Sequence, residues 1–542
     1  MRRAPAFAAA LLLAAGCARC AGPPARTAPE RHLPANAPLL LVVPTLEPAV
    51  RDLAALHRAL ASIPAAAQLD EAFQAVKLQL GFDPLDPAGL EKAGIDPRGG
   101  GGAAFGAGPP LLLLPVADVA RFEATLQRLA RDRLGASVRS AEAASGRRVT
   151  VFRREGSPAP AMAWTAVGSL ALVSAGPESL RAVAEAAALP ADRALSASPP
   201  WRVAAASLGS RYAVQLLAPA RSAVLSDVPA AYEGAVLGLG AGATGLSARA
   251  ALLLGPGRAP GWQALAGAGT EAAARAGADE VARLPADASL VIRFGGDPVA
   301  LGRRLLPWLP RRFSDALLAA RLDLSKDLLE SLAPGAALSL SLAPTFTVAG
   351  LSWSRLDPRS RDPFRLVGVE VLARVRDPAR LKAFTARLGQ VAPRWGARLT
   401  GRATAEGGSW RLSMGAARLA WSLAGGRLAV AGGADRLEPL SRRATAGGPG
   451  YAAPTEASRA ALGSGVAAAV LDVGNAVAAV RALPQEAYGT GPDGFVMRSL
   501  VDRFLEPASH LEAVSLRLDV APEAALLDLE IEGRETGEEP RP

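Results

Sequence analysis

The side chains best suited to catalysis are few: three histidines (His32, His57, His510), two cysteines (Cys17, Cys20) and four lysines (Lys77, Lys92, Lys326, Lys382). A phosphate-cradling P-loop needs a lysine directly after glycine to reach the β- and γ-phosphates, and no lysine here follows one. A penicillin-binding or β-lactamase site needs serine three residues before lysine, where this chain has Gln74, Gly89, Asp323 and Ala379. The histidines are too scattered for an HExxH zinc helix, and no Gly-x-Ser-x-Gly elbow is present. His57 falls on a helical face with no second histidine near and reads as a packed or surface residue. Asp83, Asp86 and Asp96 lack the ligand spacing and closing glutamate of an EF-hand; their Asp-Pro steps read as turns and helix starts. Gly240, Gly242 and Gly245 spell GxGxxG, but a dinucleotide loop needs a helix next, and Leu246–Leu254 reads as a strand. A hairpin turn is expected. No residue is assigned a catalytic, cofactor-binding or metal-binding role, and the chain is expected not to be an enzyme.

Half of the 542 residues are apolar, enough for a core spread over two or three domains. The net charge of +10 and pI near 10.4 invite a nucleic-acid reading. Arginine supplies nearly all the positive charge, alanine is in excess, and no basic cluster with interleaved aromatics matches a nucleic-acid module, so no specific nucleic-acid partner is expected. The most basic stretch, Leu301–Leu322, holds Arg303, Arg304, Arg311, Arg312 and Arg321 beside Trp308 and Phe313. It is broken by Pro307 and Pro310 and reads as a solvated helix face.

The N-terminus has a basic start at Arg2 and Arg3, an apolar run Ala6–Ala15 too short to span a bilayer, and small residues after it. This is an export signal. Leu13-Ala14-Ala15-Gly16-Cys17 resembles the lipobox of bacterial lipoproteins, which implies lipidation at Cys17 and a mature chain held by that lipid in the cell envelope, facing the periplasm or cell surface. With Cys17 acylated, Cys20 has no partner for an intrachain disulfide.

Behind these residues stands an internal repeat. Trp164–Leu180 returns without gaps as Trp421–Leu437, Leu33–Leu39 as Leu284–Leu290, Asp118–Leu129 as Asp377–Leu388, and Leu208-Gly209-Ser210 as Leu462-Gly463-Ser464. Leu33–Val43 reads as a turn and an apolar strand suited to a sheet covered on both faces. Leu46–Leu80 reads as two amphipathic helices broken near Pro64, and each half closes on a hairpin, Ala235–Leu254 and Ala513–Ile531. The succession of strand, helices, strand, strand, helix, strand is compatible with a ferredoxin-like split unit extended by a meander. Pro484–Phe504 is extra in the second half, with Gly489, Gly491, Gly494 and a helix expected after Phe495.

APLLLVVP, GFDPLDPAGLEKAGIDP and LLLLPVADVARFEATL look similar to an exported bacterial protein family known only as a domain of unknown function. The resemblance spans roughly Ala35–Leu180, and it implies an envelope location and an α+β domain but no reaction, cofactor or site.

The expected fold is α+β: two sequence-related repeats, each a mostly antiparallel sheet with helices packed on it. The expected divisions are a signal peptide (1–16), a flexible tether (17–32), repeat one (33–255), a helical linker (256–283), repeat two (284–533) and a disordered tail (534–542). The leading functional expectation is a non-catalytic, lipid-anchored envelope protein serving as a binding or assembly module. A periplasmic carrier of an apolar, lipid-like ligand is the alternative. An internal cavity would favour the carrier, and an exposed apolar patch a partner.

Overall fold

The computed structural model describes residues 26–61, 67–106, 108–209, 211–219, 232–241, 245–255, 259–266, 270–305, 315, 317, 321–343, 346, 364, 366–432, 434–489 and 491–534. Internal contacts divide the chain into two compact units. Met1–His57, Ala67–Arg202 and Ala213–Asp227 form the first; Arg58–Ala66, Val203–Tyr212 and Val228–Pro542 form the second.

The first unit opens with the apolar strand β1 (Leu39–Val43), then α1 (Leu46–Ala61), α2 (Ala67–Leu80) and the short α3 (Pro87–Lys92). Strands β2 (Gly101–Phe105) and β3 (Leu111–Pro115) lead to α4 (Val119–Leu134). A meander follows: β4 (Val138–Ala144), β5 (Arg147–Arg153), β6 (Pro160–Val167) and β7 (Leu170–Ala175). Helix α5 (Ser179–Ala187), helix α6 (Pro199–Leu208), whose two ends fall in different units, and β8 (Val214–Pro219) complete it. The pairings run β8-β1-β2-β3-β7-β6-β5-β4, all antiparallel. Helix α4 starts where the Asp118 carboxylate accepts from the amides of Ala120 (3.0 Å) and Arg121 (3.1 Å), satisfying two orphan donors. It ends at Gly135, whose φ of 63° lies in the left-handed region. Its buried residues Phe122 and Leu126 pack against Trp164 and Val173, with the Phe122 and Trp164 rings edge to face at 5.6 Å.

The second unit begins with the hairpin β9 (Tyr232–Ala241) and β10 (Gly245–Leu254), then α7 (Ala259–Ala266), α8 (Thr270–Val281), β11 (Leu290–Phe294) and α9 (Pro298–Leu305). Next come β12 (Leu332–Leu342), β13 (Val367–Val375), α10 (Pro378–Val391), β14 (Ala397–Ala403), β15 (Gly408–Met414), β16 (Ala417–Ala424) and β17 (Arg427–Gly432). It closes with α11 (Ala434–Ala446), α12 (Glu456–Gly463), β18 (Ala467–Asp472), α13 (Val473–Arg481), α14 (Pro492–Ala508), β19 (Leu511–Val520) and β20 (Ala524–Gly533). The order is β9-β10-β20-β19-β18-β11-β12-β13-β17-β16-β15-β14, again all antiparallel. Asp377 caps α10 through the Arg380 amide at 2.9 Å, with Pro378 in the first turn.

The architecture is therefore mixed α and β on antiparallel sheet. A ferredoxin-like unit is itself an antiparallel sheet in which another strand splits the two strands joined by each helical crossover; here β1 returns through its helices to pair directly and antiparallel with β2, with no strand between them. Strand β1 also differs from expectation: Leu40 and Val42 are buried, but Leu39 and Leu41, on the other face, are only half-buried. The helices within 256–283 pack on sheet, since Val281 of α8 joins a core cluster with Val291, Ala337 and Leu372. The helix expected after Phe495 begins earlier, at Pro492, because Gly491 (φ 75°) and proline in the first turn start it there.

Candidate functional site: an aliphatic sheet face

The chemistry-bearing residues singled out by sequence are used structurally where they are described. His57 Nε2 lies 3.0 Å from Asp70 Oδ1 and its ring meets Phe73 edge to face, joining α1 to α2. His32 Nδ1 faces the Ala186 carbonyl at 3.3 Å, and burial pushes its pKa down. His510 is exposed at the start of β19. The three aspartates each accept a nearby backbone amide: Asp83 from Leu85, Asp86 from Ala88 and Asp96 from Arg98. Gly240 lies one residue before the end of β9 and Gly245 begins β10, so a hairpin occupies the GxGxxG segment; Gly242 lies outside the described residues. Among the described residues no cluster of histidine, cysteine and carboxylates is placed to hold a metal ion, and no helix is long and apolar enough to cross a membrane. Cys17, Cys20, the 535–542 tail and most of Leu301–Leu322 lie outside the described residues; of that stretch, Leu317 and Leu322 are buried.

The second unit's sheet separates its side chains by face, as period-two strands must. One face carries α8, α11 and α12 through Val281, Leu437, Leu440 and Leu462. Two of its buried carboxylates are paired with arginines. Glu280, wholly buried on α8, accepts from Arg374 Nε and Arg427 Nε, both at 3.0 Å, and Glu370 accepts from Arg443 Nη2 at 3.0 Å. Burial nevertheless holds the Glu370 carboxyl above its usual range, against the pull of Arg443 and Arg436.

One rung on this face reads Arg249, Asp528, Arg517, Ala468, Arg293 across β10, β20, β19, β18 and β11. Asp528 accepts from Arg249 Nε (2.5 Å) and Nη2 (3.0 Å), and from Arg517 Nε (3.1 Å) and Nη2 (2.5 Å). Burial alone would raise this carboxyl, but the two guanidiniums outweigh it and hold it below the ordinary range. Arg293 is fully buried, and among the described residues its hydrogen-bond partners are the Ser464 and Gly465 carbonyls. Burial, reinforced by Arg517, lowers its pKa to about 10, so it keeps its charge at neutral pH. A single arginine inside LVIRF and another inside SLRLDV are the local signals of this rung, but only strand pairing brings them to one line.

The opposite face is aliphatic from β9 to β17 and ends in two tryptophans along the rung Leu239, Ala248, Leu529, Leu516, Ala469, Ile292, Leu338, Val371, Val430, Trp421 and Trp410. The rung beside it runs Leu237, Ala250, Leu527, Leu518, Ala467, Phe294, Ala336 and Ala373. At the β15–β17 end α10 covers this face, burying Trp410, Trp421, Leu423 and Leu428 with Phe384. Towards β9 the same face is open: Leu471, Leu516 and Leu527 are 39%, 37% and 44% exposed, and their neighbours Leu239, Ile292, Leu338 and Leu340 are half-buried. The eight strands from β9 to β13 make it roughly 35 Å wide at about 4.8 Å per strand. Contiguous exposed apolar surface of this kind marks an interaction site.

The first unit carries a smaller version. Its rung Leu216, Leu41, Ala103, Leu112, Val173 and Trp164 is apolar throughout, covered by α4 at Trp164 and open at Leu112 (39% exposed). Elsewhere in this unit a half-open recess of about 830 Å³ is lined by Ala37, Phe105, Leu111 and Leu189, with Glu178, Arg181 and Arg193 at its wall.

No family model matches the chain, and no curated protein matches it significantly. Among solved structures, crystal forms III and IV of TP0453 are similar at 12% and 13% identity. They cover 43% and 44% of this chain and 82% and 86% of their own, each with a TM-score of 0.24. A likeness at that level carries no inference about fold, ligand or activity.

Proposed function

We propose that the chain is a non-catalytic, lipid-anchored cell-envelope protein that binds an apolar, lipid-like ligand on the aliphatic face of its second unit. The supporting observation is the run of Leu, Ile, Val and Ala across β9 to β13 without a hydrogen-bonding side chain on the two central rungs. Protein partners are usually gripped by aromatic and arginine anchors inside a polar rim. Phe294 is the one aromatic on the open part of these rungs, and nothing on them fixes the orientation of a polar partner. Acyl chains need no such group. The assembly-module reading, in which a protein covers the face, is the outcome the test would otherwise return.

A duplication belongs to the same proposal. In support, both units pair in the order β8-β1-β2-β3-β7-β6-β5-β4 and its counterpart β18-β11-β12-β13-β17-β16-β15-β14. The sequence-matched Trp164 and Trp421 take the same register, opposite Val173 and Val430. The apolar rungs also correspond residue for residue at Leu41 and Ile292 and at Leu112 and Val371.

Titration of the purified chain with a fluorescent fatty acid should give saturable binding that oleate displaces. Leu516→Arg with Leu527→Arg, at exposed positions that leave the fold intact, should weaken it at least tenfold, or about 1.4 kcal/mol. Absent saturable binding in the parent, or equal binding in the variant, rejects the lipid-ligand reading.

A further inference from the structure

Helix α14 is apolar on two sides. Inward, Val501 packs with Phe346, Leu483, Ala487 and Tyr488 in a cluster that Leu342, at the end of β12, also joins. Outward, Val496, Leu500 and Phe504 recur every fourth residue on one stripe and are 69%, 47% and 69% exposed, with Phe495 and Met497 flanking them. The helix is not free to roll this stripe inward. Arg498 donates to Gln485 Oε1 at 3.1 Å and lies over the Tyr488 ring, while Tyr488 Oη donates to the Val480 carbonyl at 2.8 Å, tying α14 to α13. A core does not need this stripe, and solubility disfavours it.

We infer that the outer stripe of α14 seats on a lipid bilayer surface. Seventeen residues make a helix about 25 Å long, so the stripe offers far less than the roughly 800 Å² per partner of a stable protein interface. A second copy seated on it alone would be held weakly. A bilayer sets no minimum area; it takes phenylalanine and leucine into the acyl boundary and leaves the polar side in the headgroups. Arg503, exposed beside Phe504 and without an ion-pair partner among the described residues, is placed to reach lipid phosphates from the stripe's border. The seat is distinct from any anchor at Cys17 and does not depend on the fatty-acid reading of the sheet face.

The test uses the full chain with Cys17→Ser, so that no thiol-linked lipid contributes, floated with vesicles of phosphatidylcholine and phosphatidylglycerol. It should bind, and Leu500→Gln with Phe504→Gln in the same chain should bind at least tenfold more weakly with an unchanged thermal melt. In a separate Phe504→Trp protein, brominated acyl chains should quench fluorescence beyond the quenching of the native tryptophans. Three outcomes would overturn the inference: no flotation of the parent, equal flotation of parent and variant, or a sedimentation-detected dimer that the double variant dissolves. Fatty-acid titration of the same double variant should match the parent, so failure of this seat is distinguishable from failure of the sheet-face ligand.

Discussion

At the scale of single residues, the stability of the second unit's sheet hangs on how its buried charges are matched. Asp528 sits between Arg249 and Arg517 and is held below the ordinary carboxylate range, so its ionised form favours the folded state. That contribution is fully present above the unfolded carboxylate value of about 3.9 and is lost as pH falls through the lower folded value. Asp528→Asn removes the anion and leaves two guanidiniums facing each other. It should cost about 3 kcal/mol, the low end for a broken buried pair, because both arginines keep some solvent contact. Urea unfolding of parent and variant as a function of pH reads this directly: the gap should be widest near neutrality and should narrow on acidification. A constant gap would show that Asp528 acts through shape and not charge.

At the scale of elements, the two tryptophans carry the comparison between units. Trp164 and Trp421 sit on the third meander strand, opposite valine, under a helix capped by aspartate, and are 5% and 7% exposed. Truncation of either to alanine should cost about 3–5 kcal/mol, measured as a loss of unfolding free energy. A loss below about 1 kcal/mol at one site only, well under the cost of emptying a core position, would break their equivalence. Much of this level was legible in sequence: the gapless Trp164 and Trp421 phrases, the Asp118 and Asp377 caps and the hairpins over Ala235–Leu254 and Ala513–Ile531 are local signals, fixed by turn chemistry and period. Where the first hairpin pairs was not: β9 and β10 belong to the second unit, with β10 beside β20, and do not close the first half. The sheet faces were not legible. In LLLVV or LVIRF both parities are apolar, so periodicity cannot say which face a helix covers, and Leu39 and Leu41 were expected under cover they lack. Nor does any local signal tell Leu527 that Ala250 lies beside it, because β10 and β20 are distant in sequence. The aliphatic face exists only once the strands are paired.

At the scale of the whole molecule, the open face and the outer stripe of α14 pose one problem: water is a poor solvent for both. A chain exported and held at a bilayer meets that problem at the site where apolar ligands reside. The proposed anchor at Cys17 would supply this placement, since residues 18–25 between it and the first described residue can reach at most about 30 Å fully extended. The folded body would then stay within a protein diameter of the lipid, where even a weak seat such as α14 is populated through high local concentration. Cells fed an alkyne fatty acid should therefore label the parent chain and not Cys17→Ser. The unlabelled variant should shift from the membrane fraction towards the soluble one, with the remainder released on further substitution of Leu500 and Phe504 by glutamine. Equal labelling of both chains would remove the anchor from this account and leave α14 as the membrane contact still to be tested on its own.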